Sequence, residues 1–171
     1  SVADIDSDGS PDVAIGDQVL SGSPVNKVYV WDSGGNNLPG WPVASLWSVN
    51  NQIIIADLDG DGMKELMWDD NTGGGDYHGY NHDGSVMEGW PLPVQGSTFF
   101  MNPFITDIDN DGILDISGGG TDFSTGCHIY LWNGGIEYQA DNAELAVLQY
   151  NVRHDGVYQP PDVQVIAGFT A

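Results

Sequence analysis

A ten-residue stretch occurs three times in this chain, and it limits the possible folds more than any other feature. Ala3-Asp-Ile-Asp-Ser-Asp-Gly-Ser-Pro-Asp12 returns as Ala56-Asp-Leu-Asp-Gly-Asp-Gly-Met-Lys-Glu65 and as Thr106-Asp-Ile-Asp-Asn-Asp-Gly-Ile-Leu-Asp115. Asp57 lies 53 residues after Asp4, and Asp107 lies 50 after Asp57. A second marker keeps the same period: Gly40-Trp41-Pro42 recurs 49 residues later as Gly89-Trp90-Pro91. Two unrelated markers at one spacing define a repeat, and a fixed period of this size is the mark of a stacked array of supersecondary units.

Within each unit the apolar runs are short, rich in Val, Ile, Tyr and Trp, and bounded by Gly, Asp, Asn or Pro, which is how strands and turns read. In the second unit this predicts four strands near 52–58, 65–69, 76–82 and 86–94. Asn81-His82-Asp83-Gly84 is expected to turn the chain between the last two, as are Asp32-Ser33-Gly34-Gly35 and Asn133-Gly134-Gly135 in the other units. Four short strands per repeat is the arithmetic of a β-propeller blade. The fold class expected is therefore all-β: about three propeller-type blades of four antiparallel strands, at 1–46 (first strand incomplete), 47–96 and 97–140. Residues 141–171 would form a closing or strand-donating segment, with an extra strand over 162–171.

Charge decides what the Asp-rich stretches can do. Of 171 residues, three are Lys or Arg and 25 are Asp or Glu, for a formal net charge of −22. Nucleic acid and anionic membrane surfaces are therefore excluded as partners. With 40% of residues hydrophobic and 11% aromatic, the chain has the material for a core despite its charge. Each stretch reads D-x-D-x-D-G-x-x-[DE]. A calcium ion takes about 6 to 8 oxygen ligands, and alternate residues of a tightly curled loop can supply them. Gly9, Gly62 and Gly112 stand at the sixth position, where the backbone must turn sharply. Ser10, Met63 and Ile113 stand at the seventh, where a backbone carbonyl serves whatever the side chain. Four carboxylates form six like-charged pairs, each costing about 4 kcal/mol at ~4 Å and an effective dielectric of ~20, so an empty closed loop costs on the order of 20 kcal/mol. Three calcium ions per chain would bring the charge from −22 to −16. The EF-hand is excluded, because its twelfth position requires Glu and these loops have Ile15, Trp68 and Gly118.

These loops and the Gly-Trp-Pro turns resemble the FG-GAP and VCBS repeats, the calcium-binding blades of integrin α-subunit propellers and of secreted bacterial proteins. The resemblance spans about residues 1 to 140. It implies that each loop joins the first two strands of a blade and that calcium is held by Asp4, Asp6, Asp8 and Asp12, by Asp57, Asp59, Asp61 and Glu65, and by Asp107, Asp109, Asp111 and Asp115, to which the loop reading adds the carbonyls of Ser10, Met63 and Ile113. Glu65 departs from the usual Asp. The third unit lacks a Gly-Trp-Pro turn, as a last blade would, and residues 153–158 resemble the stretch that follows a final blade. The implied function is a non-enzymatic extracellular or cell-surface scaffold for adhesion, assembling with its own copies into an oligomer or filament or with the rest of a longer chain. A cell-surface protein or glycan is a further partner class. The alternative is a lectin or a polysaccharide-lyase propeller fragment.

Other features read as structure. His78 and His82, four apart, suggest a transition-metal pair, against an ordinary strand residue and a turn residue. Gly73-Gly74-Gly75 and Gly118-Gly119-Gly120 read as loops between second and third strands. Cys127 reads as a small buried hydrophobe on a strand. The six tryptophans read as packing between blades and at turns rather than as sugar platforms. No Ser, His and Asp arrangement carries a nucleophile signature, and no apolar run reaches the length of a membrane-spanning helix.

Overall fold

A computed structural model describes residues 1–18, 26–45, 47–70, 75–122 and 124–139. The strands are β1 (Val2–Ala3), β2 (Asp12–Gly16), β3 (Lys27–Trp31), β4 (Val43–Ala44), β5 (Ile54–Ala56), β6 (Glu65–Asp69), β7 (Asp76–Tyr80), β8 (Leu92–Pro93), β9 (Phe104–Thr106), β10 (Ile113–Asp122) and β11 (Gly126–Glu137). They form three antiparallel sheets in sequential order, β1 to β4, β5 to β8 and β9 to β11. The chain is all-β and built of blades. The expected extra strand over 162–171 lies outside the described residues.

Each sheet alternates sides, because successive residues of a strand point to opposite faces. In the second sheet Ile55, Leu66, Trp68 and Tyr80 pack with Ala14, Val28, Val30 and Trp41 of the first. Ile54, Met67 and Tyr77, on the other side, pack with Ile105, Leu114, Ile116 and Trp132 of the third. The middle sheet is thus buried on both faces, and every residue of β6 is buried. That explains why β6 reads as a continuous run rather than an alternation.

The Gly-Trp-Pro turns are packing devices between and within blades. Trp41 is 6% exposed, lies against Trp68 and Tyr80, and donates from Nε1 to the carbonyl of His82 in the next blade at 2.9 Å. A Cβ at Gly40 would lie 1.8 Å from the carbonyl oxygen of Asp83, so only glycine allows these two turns to meet. In the second blade the ring of Trp90 covers Gly79, where a Cβ would be 2.4 Å away. Both turns contain a cis X–Pro bond. Trp31, Trp90 and Trp132 are half-buried and Trp47 is exposed.

The first strand of blade 1 is the two-residue β1, which pairs with β2, and Ser1 extends the pairing through Ala14 N to Ser1 O at 2.9 Å. Three expectations need correction. Asn133-Gly134-Gly135 does not reverse the chain. It lies inside β11 as a bulge, with Ile113 opposite Glu137 but Asp115 opposite Asn133; Asn133 Oδ1 accepts from Gly135 N at 2.9 Å, and Gly135 takes φ +76°. Gly118-Gly119-Gly120 is buried strand, not loop, because neighbours come too close for side chains: a Cβ at Gly118 would lie 2.4 Å from Tyr77 Cε2, and one at Gly120 2.2 Å from Gln95 O. Strand glycine marks such close approach. Cys127 is exposed, because it falls on the outward side of β11.

Gly118→Ala is expected to lower the free energy of unfolding by about 1–3 kcal/mol through overpacking against Tyr77. Denaturant titration checks this, and an unchanged midpoint would show that blades 2 and 3 are not packed through this contact.

Candidate metal centres

The three Asp loops occupy one place in each sheet, between its first and second strands. Register fixes them there: the residue before the loop lies opposite the acid that ends it, Ala3 opposite Asp12, Ala56 opposite Glu65 and Thr106 opposite Asp115. The twelfth positions Ile15, Trp68 and Gly118 all lie in strands, so no helix follows any loop.

Inside the loops the same hydrogen bonds recur residue for residue. The sixth-position glycine donates its N–H to the first Asp: Gly9 to Asp4 at 3.0 Å, Gly62 to Asp57 at 3.1 Å, Gly112 to Asp107 at 3.0 Å. The fifth residue donates to the third: Asp8 to Asp6 at 3.2 Å, Asp61 to Asp59 at 3.1 Å, Asp111 to Asp109 at 3.1 Å. The seventh donates to the fifth: Ser10 to Asp8 at 2.7 Å, Met63 to Asp61 at 2.7 Å, Ile113 to Asp111 at 2.8 Å. The second donates to the ninth: Ile5 to Asp12 at 2.9 Å, Leu58 to Glu65 at 2.7 Å, Ile108 to Asp115 at 3.0 Å. Glu65 therefore fills the role of Asp12 and Asp115 despite its extra methylene.

Backbone conformation repeats as well. The fourth residue takes a positive φ in every loop, at Ser7 (60°), Gly60 (83°) and Asn110 (60°), and so does the sixth, at Gly9 (88°), Gly62 (90°) and Gly112 (86°). The left-handed region is open to Gly and reached by Asn or Ser only at some cost. Two such residues curl the loop so that alternate side chains converge.

The result is a set of oxygen clusters. Asp4, Asp6 and Asp8, then Asp57, Asp59 and Asp61, then Asp107, Asp109 and Asp115 each offer carboxylate oxygens lying within 4.8 Å of one another. The fourth acids, Asp12, Glu65 and Asp111, are tied to the same loops by the bonds already given. Among the described residues two side-chain oxygens are buried with no hydrogen-bond partner, Asp4 Oδ1 and Glu65 Oε1. A buried acceptor without a donor costs about 1–3 kcal/mol. Burial, then the carboxylates of Asp59, Asp61 and Asp57, push the Glu65 carboxyl up to about 8, against the Leu58 N–H that pulls it down. Burial likewise raises Asp12, with Asp6 and Asp8 adding to it. An all-oxygen set of converging carboxylates with orphaned buried oxygens fits a hard divalent cation.

Residues 4–68 match the family described as the FG-GAP-like repeat. The match begins at the first Asp of the first loop, takes in the whole second loop, and ends on β6. The third loop repeats the hydrogen bonds of both. No curated protein and no solved structure gives a significant match.

One cluster escaped the sequence reading. His78 groups with Asp70 and Asp76 rather than with His82: their ligand atoms lie within 4.8 Å of one another, and His78 Nε2 is 3.3 Å from Asp70 Oδ2. Asp70 N donates to Asp76 O at 3.3 Å and Asp76 N to Asp70 Oδ1 at 3.2 Å, so the acids close the β6–β7 hairpin from opposite sides. The equivalent pair in blade 1 is Asp17 and Lys27. The signal was the symmetric placing of Asp70 and Asp76 about the hairpin. The carbonyl of His82 serves the turn contact with Trp41.

The loop geometry can be tested without any ligand. A Cβ at Gly112 would meet nothing within 4 Å, so Gly112→Ala costs backbone strain alone, about 1–2 kcal/mol for a left-handed residue. Thermal unfolding checks this; a neutral or stabilising result would mean that the sixth position does not hold a positive φ.

Proposed function

We propose that this chain is a non-enzymatic calcium-binding repeat module of the extracellular or cell-surface kind, whose blades form a rigid scaffold for adhesion and self-assembly. The observation that carries the reading is the repetition of one loop geometry three times. In each loop backbone N–H groups turn carboxylates toward one point, and in two of them a buried oxygen is left without a protein donor. Asp4, Asp6, Asp8 and Asp12 would hold the first ion, Asp57, Asp59, Asp61 and Glu65 the second, and Asp107, Asp109, Asp111 and Asp115 the third. The seventh-position carbonyls of Ser10, Met63 and Ile113 would complete each shell.

The ion's role in this reading is structural. Calcium neutralises the carboxylates that would otherwise force strands 1 and 2 of each blade apart, and it fixes the loop that joins them. Calcium is abundant outside cells, where modules bind it at about 10⁻⁴ to 10⁻³ M; the same loops would stand largely empty at cytosolic levels. That affinity range, the FG-GAP-like repeat and the strongly acidic surface support export. The partners that suit such a module are other copies of itself, the rest of a longer chain, and a cell-surface protein or glycan.

Chelation is expected to lower the melting temperature, because an ion bound only by the folded state stabilises it by about 2.7 kcal/mol per site at 100 times its dissociation constant. Asp59→Ala should remove part of that calcium-dependent shift. Asp83→Ala should leave it intact, since Asp83 only caps its own turn through Ser85. Melting curves with calcium and with excess chelator decide between them, and equal shifts in both variants would contradict the ligand assignment.

A further inference from the structure

The two ends of the blade stack expose the two halves of the interface that joins the blades internally. One side of each sheet, its leading face, carries the row through the residue just after the ninth-position acid. In blade 2 this is Ile55, Leu66 and Tyr80, with Trp68 opposite His78 in the row beside it. The other side, the trailing face, carries the row one residue on: Ala14 opposite Val30 and Gly16 opposite Val28 in blade 1. The blade 2 leading face packs on the blade 1 trailing face. The same pairing repeats one step along. The leading row of blade 3, Ile105, Ile116 and Trp132, packs on Ile54, Met67 and Tyr77 of the blade 2 trailing face.

By this register the leading face of blade 1 is Val2, Val13 and Trp31, with Ile15 opposite Tyr29. No sheet among the described residues covers it: Val2 is 43% exposed, Val13 41% and Ile15 51%. The trailing face of blade 3 is Phe104, Ser117 and Leu131, with Gly119 opposite Ile129. Phe104 is 38% exposed, Leu131 53% and Ile129 86%, on the strands either side of the buried Ser117 and Gly119. Isolated surface hydrophobes need no explanation, but contiguous apolar faces on a chain this acidic mark an interaction surface.

We infer that the leading face of blade 1 docks on the trailing face of blade 3 of a second copy, continuing between chains the contact that joins the blades within one. The occupant follows from the register: each face is the counterpart of the other, and neither is its own counterpart. A face that fits a different face of the same molecule makes a heterologous contact, which propagates into a ring or an open filament instead of stopping at a two-fold dimer. The formal charge of −22 opposes the contact, so association is expected to strengthen with salt, which screens exposed charges beyond about 8 Å at physiological strength. The inference deepens the self-assembly part of the function proposed above and does not depend on which ion the loops hold.

Sedimentation velocity on the full 171-residue chain in excess calcium tests it. The unaltered chain should gain mass with concentration beyond a dimer. Ile15→Asp removes the leading face and Ile129→Asp the trailing face, so each variant alone should stay monomeric. An equimolar mixture of the two should form a dimer that grows no further, because one good face of each kind remains. Val13→Asp with Leu131→Asp repeats the pair should either first variant melt abnormally. An unaltered chain that is monomeric at every concentration overturns the inference. So does a mixture of folded variants that stays monomeric, or a single variant that still assembles. Loss of calcium binding would show instead in the metal content, which leaves the two claims separable.

Discussion

Mutual repulsion among the loop carboxylates is the constraint on which the rest of this structure depends. Twelve acids sit in three short loops, and each loop joins the two strands that begin a blade. If the loop opens, the register of those strands is lost, since Ala3 opposite Asp12 and its equivalents are held at the loop's base. Backbone N–H groups turned inward offset part of the repulsion; charge-assisted hydrogen bonds of this kind are stronger than neutral ones. They do not reach Asp4 Oδ1 or Glu65 Oε1. On the function proposed here, a hard cation would supply what the backbone cannot, and the binding of that ion and the integrity of each blade would be a single linked equilibrium.

The blades themselves follow a simpler rule. A sheet of three or four short strands cannot be stable with both faces in water, so each is covered by its neighbours. Only the middle blade achieves this within the described residues, with Trp41 of blade 1 against Trp68 and Tyr80 on one side and Trp132 of blade 3 edge-on to Tyr77 on the other. The loops lie near the blade junctions, where the backbone N–H of Lys64 in the second loop donates to Ile5 O in the first at 3.4 Å. The acidic loops and the blade contacts are in this way close neighbours in the structure.

Much of this was legible in the sequence because the repeat averages over local ambiguity. Three copies of one loop gave the positions of the converging acids, the glycine at the sixth position and the exclusion of a helical flank. The first three strands of blade 2 fell close to their expected places, whereas the fourth, expected over 86–94, is only Leu92–Pro93 because the Gly-Trp-Pro turn takes up the residues before it. The failures share a physical cause. Gly118-Gly119-Gly120 and Asn133-Gly134-Gly135 carry turn chemistry, but in blade 3 most of those glycines answer to packing: Tyr77 and Gln95 press on β10, and a Cβ at Gly134 would lie 2.7 Å from Leu114 Cδ2, while Gly135 keeps its positive φ inside a bulge rather than a turn. Composition cannot distinguish a glycine chosen for its φ from one chosen for its missing side chain. Cys127 was misjudged because the outward side of β11 is apolar, and an apolar alternation reads as buried whether or not anything covers it. The pairing of His78 with Asp70 rather than with His82 depends on cross-strand register, which sequence spacing along one strand does not contain.

The most direct test of the account is a count of ions. The chain, freed of metal by chelation, dialysed against calcium and analysed for bound metal per mole of protein, should hold three calcium ions, one for each loop beginning at Asp4, Asp57 and Asp107. A count of zero or one would contradict it, because three loops with the same hydrogen bonds and the same backbone cannot differ so far in what they bind.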